Sequence, residues 1–167
     1  FVGVTGSVAA DNAKKSDDID FFVISASGWL WTTRLLTTLL LELIGKRRRP
    51  GEDNSKDKIC LNLFVDEANL DAFGHNLFTA YELVQLKPLV DKKNIYQDLL
   101  NTNNWVKGFL SNVFPSRVYN EQSVELSSRT RTYLDALIRK FQIWWMKNRR
   151  TTEITEPDLI AFHPDDI

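Results

Sequence analysis

The stretch TGSVAADNAKKSDDIDFFVI, residues 5–24, decides how this chain of 167 residues is read. A short apolar run ends in Thr5-Gly6-Ser7, a polar connection follows, and the chain resumes as Asp18-Ile19-Asp20-Phe21-Phe22-Val23-Ile24. This last segment alternates at its start and is rich in β-branched and aromatic residues, which predicts a strand. Side chains two apart on a strand share a face, so Asp18 and Asp20 project side by side where an apolar strand begins. Two anions that close repel each other, and a divalent cation between them makes the arrangement tolerable. Gly6 opens backbone conformations closed to other residues, and a Gly-Ser turn offers N–H groups and a hydroxyl to a phosphate. Phosphate donors beside a metal-binding carboxylate pair point to phosphoryl or nucleotidyl transfer.

Gly6-Ser7, a ten-residue spacer from Val8 to Asp17, and Asp18-x-Asp20 leading into apolar residues together resemble the signature of the polymerase-beta-like nucleotidyltransferase superfamily. The likeness is strongest to its small "minimal" members, in which a Gly-Ser turn precedes a Ser-Asp-Ile-Asp strand; here that strand reads Ser16-Asp17-Asp18-Ile19-Asp20. The resemblance implies an α+β fold, a small mixed β-sheet core flanked by helices. It implies transfer of a nucleoside monophosphate from a nucleoside triphosphate to an acceptor hydroxyl, with Mg²⁺ (or Mn²⁺) on Asp18 and Asp20. Gly6 and Ser7 would then grip the β and γ phosphates. Lys14 and Lys15 lie either near the nucleotide or as ordinary exposed loop lysines. The family also usually presents a third carboxylate from the next core strand, and the matching position here is Asn62. An amide oxygen can ligate a hard cation but adds no charge and cannot act as a general base. Asn62 is therefore either a catalytic-site residue or a satisfied structural amide. The alternative function is a non-catalytic nucleotide-binding or antitoxin-like partner module. The acceptor (small molecule, protein or RNA) and the choice between homodimer and partner protein stay open.

Composition narrows the field. Hydrophobic residues make up 43% and the formal net charge is −1, which supports a substantial core and argues against coating nucleic acid by bulk charge. The single cysteine, Cys60, excludes an internal disulfide framework and fits a reducing, cytoplasmic setting. His75 and His163 have no metal-ligand spacing around them. The run Trp29 to Ile44 holds Arg34, Glu42 and several threonines, too short and polar to span a bilayer. Because the chain starts at Phe1 in mid-strand, an upstream segment, with the helix the resemblance places before the first strand, is expected to be missing.

In chain order, residues 1–5 and 18–25 predict the first two strands. Ser27 is a plausible N-cap for a helix over 28–44 whose apolar face carries Leu35, Leu36, Leu39, Leu40, Leu43 and Ile44, with Gly45 as its C-terminal cap. The charged loop 46–58 contains Arg47-Arg48-Arg49, read as a mobile connection or as a basic contact for RNA or a triphosphate tail. Residues 59–65 predict a third strand with Cys60, Asn62 and Phe64 on one face and Ile59, Leu61, Leu63 and Val65 on the other. The core would end near residue 70, and residues 71–167 would be an all-helical extension. Its helices are expected over 71–87, 91–101 and 105–109, then over 121–150 beyond a loop at 111–119. In the last of these, Leu126, Tyr133, Leu134, Leu137, Ile138, Phe141, Trp144 and Trp145 would face a core, or the tryptophans would stack nucleic acid beside Lys147 to Arg150. Trp105, Trp144 and Trp145 could instead form a partner surface. The tail 153–167, with Phe162-His163-Pro164, is expected to pack back on the core.

Overall fold

The computed structural model describes residues 1–49, 52, 55–112, 129–146 and 154–161. Its elements run β1 (Val2–Thr5), α1 (Gly6–Ala9), β2 (Ile19–Ser25), α2 (Leu30–Leu43), β3 (Ile59–Asp66), α3 (Leu77–Gln85), β4 (Lys87–Val90) and α4 (Ile95–Thr102). A 3₁₀ turn (Asn104–Gly108), α5 (Arg129–Met146), β5 (Ile154–Thr155) and β6 (Leu159–Ala161) complete them. The fold is α+β, with one six-stranded mixed sheet in the order β4-β1-β2-β3-β6-β5. β1 runs antiparallel to β2, with Thr5 opposite Asp20, whereas β3 runs parallel to β2 after the α2 crossover. The Gly-Ser turn and the Asp-Ile-Asp segment thereby meet at one end of neighbouring strands.

The expectation of helices alone after Asp66 needs correction. The long helix α5 is there, but β4, β5 and β6 also come from beyond residue 70 and join the same sheet. The helix expected over 71–87 begins only at Leu77, because the Asn76 side chain caps it by accepting from Thr79 N–H at 2.9 Å. It stops at Gln85, and Lys87-Pro88 continues as strand β4 beside β1. Proline suits that position, since β4 is an edge strand and needs no second row of ladder donors. Of the tail, Leu159–Ala161 packs back by pairing with β3. Residues 113–128, the basic run 147–150 and the triplet 162–164 lie outside the described residues.

A register break in β3 changes which side chains share a face. Phe21 pairs with Leu61 but Phe22 with Leu63, so Asn62 is an extra residue on β3, a β-bulge. Strict alternation is lost there. Leu61 and Phe64 pack with Val23, Leu30, Trp31 and Ile160 on one side of the sheet. Leu63 and Val65 pack with Phe22, Ile24, Leu83 and Leu99 on the other. Phe64 therefore parts from Cys60 and Asn62, contrary to the two-residue period.

On the first side, α2 and α5 cover the sheet, and their orientation reverses expectation. Leu36, Leu39, Leu40 and Leu43 of α2 and Ile44 just after it are exposed, as are Tyr133, Leu134, Leu137, Phe141, Trp144 and Trp145 of α5. Leu30, Trp31, Arg34 and Leu41 of α2, with Asp135 and Gln142 of α5, are buried instead. The reason lies in mutual satisfaction of polar groups. Asp135 accepts from the N–H groups of Trp31 (3.0 Å) and Thr32 (2.7 Å) and from the Thr32 hydroxyl. Gln142 accepts from Arg34 and donates to Trp31 O. Asp135 thus caps α2 from a remote helix, while Ser27, the expected cap, gives its N–H to Glu67. At the other end Gly45 caps as predicted: at φ +68° it donates to Glu42 O, and Lys46 N–H reaches Leu41 O, a Schellman closure. No helix among the described residues is long and apolar enough to cross a membrane.

Candidate functional site

The opposite side of the sheet carries a cavity of about 280 Å³. Its floor is Phe22 of β2 and Leu63 of β3, and its wall comes from Phe73 and from Phe78, Thr79, Leu83 and Leu86 in and after α3. Its polar rim is Thr5, Gly6, Asp18, Asp20, Arg48, Asn62 and Glu82. Four of the residues marked by sequence, Gly6, Asp18, Asp20 and Asn62, are therefore brought together. The bulge keeps Asn62 on this rim and puts Leu63 into the floor beside it.

Gly6 is fixed by geometry. Its φ is +66°, and a Cβ there would stand 2.6 Å from Oδ2 of Asp20, closer than any side chain tolerates. Glu82 of α3 approaches from the far side, accepting from the Thr5 hydroxyl and, at 3.4 Å, from Gly6 N–H. Glu82 thus ties the turn to α3. Ser7 and Lys15 behave differently. The Ser7 hydroxyl donates to Asp17 at 3.2 Å, and Lys15 is exposed; neither lines the cavity. Lys14 N–H, with Ser7 in support, holds the Asp17 carboxyl below its usual range. Asp66 and Glu67, at the other end of β3, serve the backbone: they accept from Gly28 and Ser27 N–H. Burial pushes the Asp66 carboxyl up despite those bonds.

Three further residues, none of them marked as a site residue by the sequence pattern, join the site. Cys60 pairs with Asp20 across the β2–β3 ladder, and its Sγ lies with carboxylate oxygens of Asp18 and Asp20 inside a mutual distance of 4.8 Å. Burial, then the charges of Asp20 and Asp18, push its thiol up to about 12, so it is neutral at physiological pH. Arg48 reaches Asp18 from the loop after α2, with Nη1 2.8 Å from Oδ2. Glu82 comes from an element some sixty residues beyond Asp20 and could be placed only by the packing of α3 on the sheet. In the sequence Arg48 stands within three consecutive arginines, read as a mobile connection or as a basic contact for RNA or a triphosphate tail.

The donor set fits a hard divalent cation. Mg²⁺ and Mn²⁺ take oxygen ligands, Asp18 and Asp20 supply carboxylates close together, and an arginine cation already rests on one of them. Cys60 is the third member of this cluster, a soft sulfur donor that suits Mg²⁺ and Mn²⁺ less well than the carboxylates. No family model, curated protein or solved structure matches the chain.

Proposed function

We propose that this cavity binds a nucleoside triphosphate with Mg²⁺ or Mn²⁺ and transfers the nucleoside monophosphate to an acceptor hydroxyl. The observation that carries this reading is the convergence of Gly6, Asp18, Asp20 and Asn62 on one cavity rim, as the resemblance to polymerase-beta-like nucleotidyltransferases implies. Asp18 and Asp20 would hold the cation, whose contribution is to neutralise phosphate charge and align the transferring group. The missing Cβ at Gly6 leaves room beside the Asp20 carboxylate, and the turn brings its backbone close to where the phosphates would lie. Asn62 orients through its amide and takes no proton. Glu82 is the cavity's third carboxylate, on α3 rather than β3, and is the group suited to receive the acceptor's proton. The apolar floor of Phe22 and Leu63 excludes water from the same space.

A second reading, a nucleotide-binding or antitoxin-like module without turnover, is favoured by one feature: β3 offers an amide and a neutral thiol where a carboxylate is expected. One experiment separates the two. Each of the four nucleoside triphosphates, labelled in the α phosphate, is incubated with a lysate, Mg²⁺ or Mn²⁺, and either the chain or its Asp18→Asn/Asp20→Asn variant. Transfer of label with the unaltered chain, reduced by about 10²–10³-fold or more in the variant, is the expected result. Tight cation-dependent binding with no transfer would favour the module. Nucleotide binding equal in both proteins would sink both readings.

A further inference from the structure

The three consecutive arginines after α2 do not point the same way. Arg47 and Arg49 both pair with Glu42, each at 2.8 Å. Arg48 turns to the cavity and pairs with Asp18, whose side chain is only 14% exposed against 36% for the arginine. The backbone enforces this split: Arg48 N–H donates to Ile59 O at 3.0 Å, and Arg47 bridges Ile59 at the head of β3. The Arg48 guanidinium also lies close enough to the Cys60 thiol to interact with it. It therefore sits against two of the three groups, Asp18, Asp20 and Cys60, whose ligand atoms cluster.

Charge makes that position consequential. Asp18, Asp20 and Glu82 give the rim three carboxylates, and Arg48 is the one cation among the described residues that line it. Such a rim repels a polyphosphate unless cations intervene. A divalent ion and the guanidinium also compete for the same carboxylate, since like charges cannot both sit against Asp18 without repulsion. Arginine's planar fork is suited to a carboxylate or a phosphate alike.

Resting on the nucleotide-binding reading above, we propose that Arg48 is a built-in counter-cation and transfer arm. Without metal it neutralises Asp18; a divalent cation displaces it, and the released guanidinium takes an oxygen of the nucleotide's polyphosphate. Metal binding thus frees the arginine that nucleotide binding needs, so the two ligands are coupled through one side chain.

The test titrates Mn²⁺ by electron paramagnetic resonance, then a non-hydrolysable nucleoside triphosphate at saturating Mn²⁺, into the unaltered chain, Arg48→Ala and Arg48→Lys. With its competitor removed, Arg48→Ala should bind Mn²⁺ about tenfold more tightly, yet bind the nucleotide about tenfold more weakly. Arg48→Lys should fall between in both, and it carries the test if the alanine variant does not fold. These opposite signs are the support. Mn²⁺ affinity unchanged or weakened by the substitution overturns the proposal, as does nucleotide affinity unchanged or strengthened. If no version binds Mn²⁺, the cation site itself is refuted, and the arm with it; if the unaltered chain binds Mn²⁺ and nucleotide, failure concerns Arg48 alone.

Discussion

The two faces of the sheet use polar residues in opposite ways. On the α2/α5 face, Arg34, Asp135 and Gln142 are buried, yet their hydrogen bonds go to each other's helices and to the opening N–H groups of α2. On the cavity face, Asp18, Asp20, Asn62 and Glu82 surround open volume. A buried polar group costs free energy unless it is satisfied. On the first face satisfaction is internal, so polarity there is structural. On the second, the groups line space that a ligand could enter. Polar residues in a fold therefore indicate function by what space they face more than by how deeply they lie. The leucines and tryptophans of the first face teach the converse, since the polar layer between the helices takes the inner position and leaves the apolar stripes outside.

Three substitutions would break or sharpen this contrast. Asp135→Ala removes the remote cap and leaves Trp31 and Thr32 N–H groups unmet, which should cost about 1–3 kcal/mol in urea unfolding. The Mn²⁺ affinity of the folded protein should not move, and a shift in it would tie the two faces together. Gly6→Ala should cost less, about 1–2 kcal/mol for a side chain at positive φ. It should also weaken Mn²⁺ binding, because the new Cβ stands 2.6 Å from the Asp20 carboxylate and must displace it. Equal Mn²⁺ affinity would show that Asp20 does not hold the ion. Leu43→Lys should have the smallest effect, within about 0.5 kcal/mol, because Leu43 is 85% exposed. A larger loss of stability would mean that this face is covered in solution.

Much of the arrangement was legible in local sequence. The strands β1, β2 and β3 fall where alternation and β-branched residues place them, and Gly45 ends α2 as its backbone freedom predicts. Of the four rim residues, Asp18 and Asp20 were found by their spacing of two and Gly6 by the turn that follows a strand paired with theirs, whereas Asn62 was marked only through the family resemblance. Ser7 was a reasonable phosphate donor by the same logic, but its hydroxyl found a nearer partner in Asp17. The face assignment in β3 failed at Asn62 because a bulge adds one residue, and a period of two cannot survive an odd insertion. The α2 and α5 orientations failed because apolar periodicity identifies a helix's greasy stripe without saying what lies opposite. Here Asp135, more than a hundred residues from Trp31, determines which stripe turns inward.

By itself, then, the sequence determined an α+β chain with a Gly-Ser turn, an Asp-x-Asp strand and no membrane-crossing helix among the described residues. These follow from interactions within a few residues: backbone preference, strand alternation and helix capping. Only the tertiary structure decided that Glu82, Arg48 and Cys60 join Asp18 and Asp20, that late strands complete the sheet, and that α2 is capped by α5. Each of those depends on packing between segments distant in the chain, where charge, burial and register are settled together and no local pattern records the outcome.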